Sequence, residues 1–512
     1  MQPRTSRPLR RIATGALALA LAGTAFTACS AGGEPDAEQS AGATLTIASI
    51  FDNNSFDRGA LEIGNRVHYW MPVYDTLLVL DPDAQLQPNL ATEWSYNDDN
   101  TVLSLTLRDG VEFTDGTPFD GEAVKANLEY LKAGTGQNAY MAASIDEVEV
   151  VGATEVNLRL TAPDPGLLNY LAVVGGAMAS PTTLGAGDEA TTAIGSGPYV
   201  LEKATPGSEY VYERNEDYWN SEAFPYDEIV VKPISDSTAR LNALKSGQAD
   251  VALVDPPQVS EAEGSGLTVE RYPTDWQGLF LNDRAGATVP ALADVRVRQA
   301  INLAIDTRSI LENLARGEGE LTSQTFNTSS DAFVADLDDA YPYDLKRAKA
   351  LMADAGFEDG FAVTMPDLSS FPQITPILKQ QLGQIGIDVT FEKIAADATI
   401  PELLSGKYPM FWFSLGSQSP WQDFRKFGTA GSPWNTSHVD DPTMTALLEA
   451  AQFSTGDEQV AAFQAANEYL VDQAWMAPWF RANTLLATST DVRATPQAWN
   501  VVPWIRNFAP AQ

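Results

Sequence analysis

Paired carboxylates can share general acid and general base work across a glycosidic bond, and adjacent pairs such as Asp98 with Asp99, Asp338 with Asp339, and Asp440 with Asp441 have the right type. With 68 acidic residues in 512, such pairs arise from composition alone, and each is expected on the solvated surface. The sequence holds two histidines, His68 and His438, and one cysteine, Cys29. That inventory excludes a histidine or cysteine zinc cluster and any disulfide within the chain. Each histidine is expected as an ordinary surface or core residue. No serine has glycine at both −2 and +2 and no S-x-x-K occurs, so the commonest hydrolase and penicillin-binding signatures are missing. The phosphate-cradling G-x-x-x-x-G-K-[ST] loop is missing too. Gly195-Ser196-Gly197-Pro198-Tyr199 lacks the third glycine of a dinucleotide fingerprint and is expected as a tight turn. No catalytic constellation, metal site or cofactor site emerges, and the chain is not expected to be an enzyme. A secreted hydrolase using an acid pair is the alternative from another class.

Strand and helix signals alternate along the body without a repeat. Leu103, Leu105 and Leu107 alternate with Ser104 and Thr106, the period of a half-buried strand. Asp120 caps a helix with Val124, Leu128 and Leu131 on one stripe. Asp236 or Ser237 starts another, which stops at Gly247 before an apolar strand, Val251 to Val254. Asp344 caps a helix ended by Gly356, a strand follows from Phe361, a second helix stops at Gly386, and Ile387, Val389 and Phe391 alternate as the next strand. One long helix is expected over Val295 to Arg316. Strand-helix-strand units with short glycine stops imply α/β lobes, joined by strands rather than by a flexible tether. The length is several times the usual ~150 residues per domain, so two or three lobes are expected. A formal charge of −36 excludes a nucleic-acid partner, which needs a basic face.

Arg4, Arg7, Arg10 and Arg11 precede an apolar run from Ile12 to Ala28, and Cys29 follows at once. That is the order of an export signal, and the run is short of the ~20 apolar residues a membrane span needs. Phe26-Thr27-Ala28-Cys29 resembles a bacterial lipobox, in which the cysteine becomes the lipidated first residue; Phe26 stands where leucine is usual. Residues 1–28 are read as a lipoprotein signal peptide and 29–43 as a tether. Removing the signal takes away four arginines and no acids, which deepens the charge to −40. The body is expected outside the cytoplasm, held at the outer face of the cell membrane by lipid alone.

The order of motifs resembles the bacterial extracellular solute-binding protein family 5, which serves peptide and nickel ABC importers. The likeness runs through YDTLLVLD from Tyr74, PNLATEWSYNDDNTVLSLTLRDGVEFTDG from Pro88, IGSGPY from Ile194 and NEDYW from Asn215. It continues through ARLNALKSGQADV from Ala239, DVRVRQAINLAIDTRSI from Asp294, YDLKRAKALMADAGFEDGF from Tyr343, QLGQIGIDV from Gln381 and AWMAPWF from Ala474. The resemblance implies an α/β, two-lobed periplasmic-binding-protein-like fold of the class II type. Lobe I would comprise 44–70, 182–277 and 485–512, with an extra subdomain at 71–181, and lobe II would comprise 278–484. Such a fold closes on a solute by hinge motion.

The same resemblance places ligand-contacting loops of lobe II at Trp412, Trp421, Phe424 and Trp434, with Trp276 just before the crossover. Exposed tryptophans would stack on a ligand; core packing is the alternative for each. Peptide-binding members carry an Asp-Pro here, with the carboxylate near the ligand's ammonium. This chain reads Ser419-Pro420-Trp421-Gln422-Asp423-Phe424, so a serine takes the acid's place and Asp423 is the candidate replacement. Phe51 and Asn53 lie in the loop Ile50 to Phe56, expected to offer backbone hydrogen bonds to an extended ligand. The implied role is capture of a di- or oligopeptide, with an oligosaccharide or metal chelate as the alternative. The implied partners are an ABC permease and a separate ATPase, and a monomer is expected.

Overall fold

Leu103, Leu105 and Leu107 are buried while Ser104 and Thr106 between them are exposed, and the strand they form is Val102–Leu107. It lies in a four-stranded antiparallel sheet ordered Ala91–Tyr96, Val102–Leu107, Glu155–Leu160, Ile145–Gly152. Helix Gly121–Ala133 packs on this sheet, and the Asp120 carboxylate accepts the backbone N–H groups of Glu122 and Ala123 at its start. The computed structural model describes residues 43–369, 371–395 and 398–511. The signal segment and Cys29 lie outside the described residues, as does the tether except Ala43.

A nine-stranded mixed sheet dominates the rest, built on two long antiparallel neighbours, Thr268–Leu281 and Met476–Thr488. Beside one end of this pair the sheet continues through Val251–Leu253, Thr44–Ser49, Glu228–Pro233, Glu209–Arg214 and Tyr199–Thr205. Beside the other end lie Met410–Gly416 and Gly319–Leu321. One apolar core gathers residues between 45 and 251 together with Tyr272, Leu486 and C-terminal residues between 492 and 508; a second gathers residues between 276 and 480. The two long strands therefore pass from one core into the other and join them by paired backbone. Within the second core, Asp344 caps helix Leu345–Asp354, and strands Phe361–Leu368 and Ile387–Ile394 pair in parallel around helix Ile374–Gly383.

Three expectations are corrected. The helix expected over Val295 to Arg316 is two, Val295–Ala304 and Thr307–Leu314. Ile305 is extended, and the Asp306 carboxylate accepts the Ser309 N–H, so a second N-cap interrupts an otherwise helical pattern. Asp338 is not a solvated surface acid: it pairs with the buried Arg481 guanidinium at 2.7 Å and accepts from Thr322 and Gln324 at 2.8 Å. The Gly195-Ser196-Gly197 segment is a close backbone approach, not a free-standing turn. A Cβ at either glycine would collide with the Val73 carbonyl oxygen, to which Gly197 N–H donates.

Several family-like motifs converge on one buried carboxylate. Asp75 accepts from Tyr218 Oη at 2.8 Å, Trp219 Nε1 at 3.1 Å, Ser196 Oγ at 3.4 Å and Asn89 Nδ2 at 3.5 Å. Its burial pushes the carboxyl above the ordinary range, against the pull of these donors. Arg108 stacks over Trp219, 3.8 Å from the ring centroid, and closes the joint.

Candidate functional site

Strand Thr268–Leu281 slips register against Met476–Thr488 between Pro273 and Asp275. Pro273 has no N–H to give the ladder, and a bulge of this kind re-aims the next side chain. Asp275 lines a cavity of about 240 Å³. Gly416 stands opposite it in register, and a Cβ there would lie 3.3 Å from the Asp275 carboxylate. A glycine at 416 leaves that carboxylate its room.

The segment after Gly416 forms one wall. Ser417 N–H donates to Thr274 O at 3.2 Å. Ser419 N-caps helix Pro420–Phe427 in a capping box with Gln422, and Pro420 fills the first helical position. Lys426, in the last turn, donates to Gly416 O at 2.8 Å and to Asp423 Oδ1 at 2.6 Å. Asp423 also accepts Gln418 N–H at 3.0 Å. Burial raises the Asp423 carboxyl, offset by Lys426, and burial raises Asp275 with Lys426 again pulling down. Among the described residues Asp275 accepts no hydrogen bond.

Residues from the first core make the facing wall: Ile63, Gly64, Trp499, Asn500 and Val501. Asn500 braces it, accepting from Gly64 N–H at 2.8 Å and donating to Val502 O at 2.7 Å. Trp499 has φ +65°, a left-handed conformation rare for a bulky side chain. Its indole N–H is buried without an acceptor among the described residues. Gln418 and Trp499 also line a narrow crevice leading from the cavity toward Trp70 and Asn169. Two larger hollows, about 480 and 610 Å³, are lined by residues 421–452 alone and 110–219 alone, so neither lies between the cores. Beyond the cavity the two parts touch again, through Gln452 Nε2 donating to Pro163 O at 2.8 Å.

The sequence-expected residues divide. Asp423 is buried beside the cavity but spent on Lys426 and Gln418. Trp276 and Trp412 fill the second core, packed on Phe280 and Trp479. Trp434 is half-buried and stacks on Phe413 with centroids 5.1 Å apart. Trp421 is buried too; it lines the 480 Å³ hollow and presses on Gly166, where a Cβ would sit 2.9 Å from the indole. Phe51 is exposed and Asn53 half-buried, and neither lines the 240 Å³ cavity. The loop's carbonyls are partly committed: Phe51 O accepts from Ser49 and Tyr69, and Asp52 O from Arg66. Asp275, Gln418, Trp499 and Asn500 were not singled out by sequence as wall residues, while Lys426, which the sequence offered with Arg425 as a partner for a ligand carboxylate, is held by Asp423 and Gly416 O. The available signal was Pro273 just before Asp275 in a strand pattern, which marks a bulge.

Residues 85–437 match the family model described as "Bacterial extracellular solute-binding proteins, family 5 Middle". The chain belongs to this family. It is a substrate-binding protein of an ABC importer, with the two-lobed fold of the periplasmic binding proteins. Among curated relatives, the glutathione-binding protein GsiB of Salmonella paratyphi A is 28% identical over 412 residues, 75% of this chain and 78% of that one. Among solved structures, NikA from Brucella suis in complex with Fe(III)-EDTA superposes with a TM-score of 0.80 at 21% identity, covering 91% of this chain and all of that one. DppA from Helicobacter pylori in complex with the peptide STSA gives 0.76 at 21%, covering 92% and 98%.

Proposed function

We propose that this solute-binding protein captures a di- or oligopeptide between its lobes and delivers it to an ABC permease driven by a separate ATPase. The observation that carries this is the cavity walled by both cores, with the Gln418 side chain and the Asp275 carboxylate around it. Uncommitted polar groups at a hinge suit a small solute rich in amides and charges. Relatives named for glutathione and solved with the peptide STSA agree with that chemistry. The protein acts as a monomeric receptor rather than a catalyst. It is tethered outside the cytoplasm by lipid on Cys29, with lobes divided as 44–70, 182–277 and 485–512 against 278–484, and 71–181 as the extra subdomain of the first.

Differential scanning fluorimetry against peptides, oligosaccharides and metal chelates tests the assignment. A ligand that binds the folded form alone raises its stability by mass action, about 2.7 kcal/mol at a hundredfold excess over Kd. A raised melting transition with at least one peptide is expected. Shifts with sugars or chelates alone would overturn the peptide assignment and leave the receptor role intact.

A further inference from the structure

The local charge count at the cavity does not balance. Lys426 is the cation in its wall, and Lys426 already holds Asp423 at 2.6 Å and Gly416 O at 2.8 Å. Asp275, from the other strand of the wall, adds a second carboxylate with no hydrogen-bond donor of its own among the described residues. A half-buried carboxylate left in this state is costly unless a cation or donor meets it. The fold spends two features to keep it so: a bulge at Pro273 that turns Asp275 inward, and a glycine at 416 that leaves its space open. Across the cavity stands Trp499, held in a left-handed backbone conformation that costs free energy and persists only where neighbours such as Asn500 fix it.

We propose that Asp275 and Trp499 form the subsite for an organic cation, the ammonium or guanidinium group of the captured solute. The carboxylate supplies a charge-assisted hydrogen bond and the indole an aromatic face. A divalent metal is a poorer fit, because one carboxylate and one amide fall short of the six or more oxygens a hard cation takes. An acid supplied by the crossover strand makes the serine at 419 compatible with amine recognition. This subsite rests on the receptor role proposed above, and it discriminates against solutes that lack a cationic group.

The test uses the purified protein with paired probes. One pair is a tri- and tetrapeptide library without lysine or arginine, with free amino termini, and its N-acetylated counterpart. The other, which does not depend on a peptide ligand, is methylammonium chloride and choline chloride against sodium chloride at equal ionic strength. Binding is read by calorimetry for the peptides and by saturation-transfer NMR for the small cations. Free-amine peptides are expected to bind, acetylation to weaken them roughly 10- to 100-fold, and Asp275→Asn to weaken them by a similar factor, the range of one charge-assisted hydrogen bond. Asp275→Glu should recover part of the loss, and circular dichroism of each variant should match wild type. If no peptide binds but methylammonium or choline does, and Asp275→Asn abolishes it, the peptide assignment fails while the cation subsite stands. Equal affinity for acetylated and free peptides, an unchanged Asp275→Asn, or no response to any cation or free-amine probe would overturn the subsite.

Discussion

His68 is buried beneath the C-terminal segment, where its Nε2–H donates to the Pro503 carbonyl oxygen at 2.8 Å. Burial, only partly opposed by that bond, pushes its pKa down to about 4 from 6.5. The unfolded chain therefore takes up a proton below about 6.5 that the folded chain refuses until about 4, so stability falls as pH drops through that window. The loss from this residue approaches about 3 kcal/mol by pH 4, at 1.36 kcal/mol per unit. Urea unfolding of wild type and His68→Gln at pH 7 and pH 4.5 should show the variant losing about 2–3 kcal/mol less across the interval. Equal losses would mean that another group sets the acid limit. At this scale the sequence was half legible. It pointed to the segment 419–424, where Asp423 does sit beside the cavity, but a capping box and a lysine one turn on occupy its polar groups. Asp275 escaped notice because its role depends on a bulge and on a glycine 141 positions later, a pairing that no local pattern encodes.

Strands and helices were legible where period and cap agree. Leu103 to Leu107, Asp120, Asp236 and Asp344 all lie where alternation and capping put them. Val295 to Arg316 misled because its apolar spacing continues across a second cap at Asp306. The motifs that carried the family resemblance turn out to be joints between elements. Asp75, Ser196, Tyr218 and Trp219 come from three of them and meet in one network. Arg240 and Arg298, from two more, are buried and donate to backbone carbonyls of neighbouring segments. Asp75→Ala would leave the Tyr218 and Trp219 donors without their acceptor inside the core. A loss of about 3 kcal/mol or more in urea unfolding is expected, with ligand affinity of the folded protein unchanged. A loss under about 1 kcal/mol would show that the network is dispensable.

For the whole molecule, two long strands and a distal contact bound the space in which a solute would sit. Thr268–Leu281 and Met476–Thr488 fix the hinge side, while Gln452 reaches Pro163 and Trp421 presses on Gly166 at the far side. Both far-side contacts join the two cores, so for a receptor whose lobes part to admit a solute their free energy belongs to closure rather than to folding. Gln452→Ala is expected to weaken solute binding about three- to tenfold, the worth of one hydrogen bond, while the urea midpoint stays as in wild type. Calorimetry with the best peptide found by fluorimetry measures this, and an unchanged affinity would place closure elsewhere. The sequence conveyed the two-lobed plan through the order of its motifs. It did not convey the wall of the cavity, because that wall is assembled from residues 63–64, 274–275, 416–426 and 499–501, which only the folded chain brings together.

The proposed role has the cavity between the lobes hold a peptide by its cationic end. Native mass spectrometry of the protein purified from its own host, with fragmentation of whatever mass is released on denaturation, measures this most directly. The expected result is a released species whose fragments are those of a short peptide with a free amino terminus, absent from Asp275→Asn purified alongside. Release of an oligosaccharide or of an anionic metal chelate, retained equally by Asp275→Asn, would contradict it.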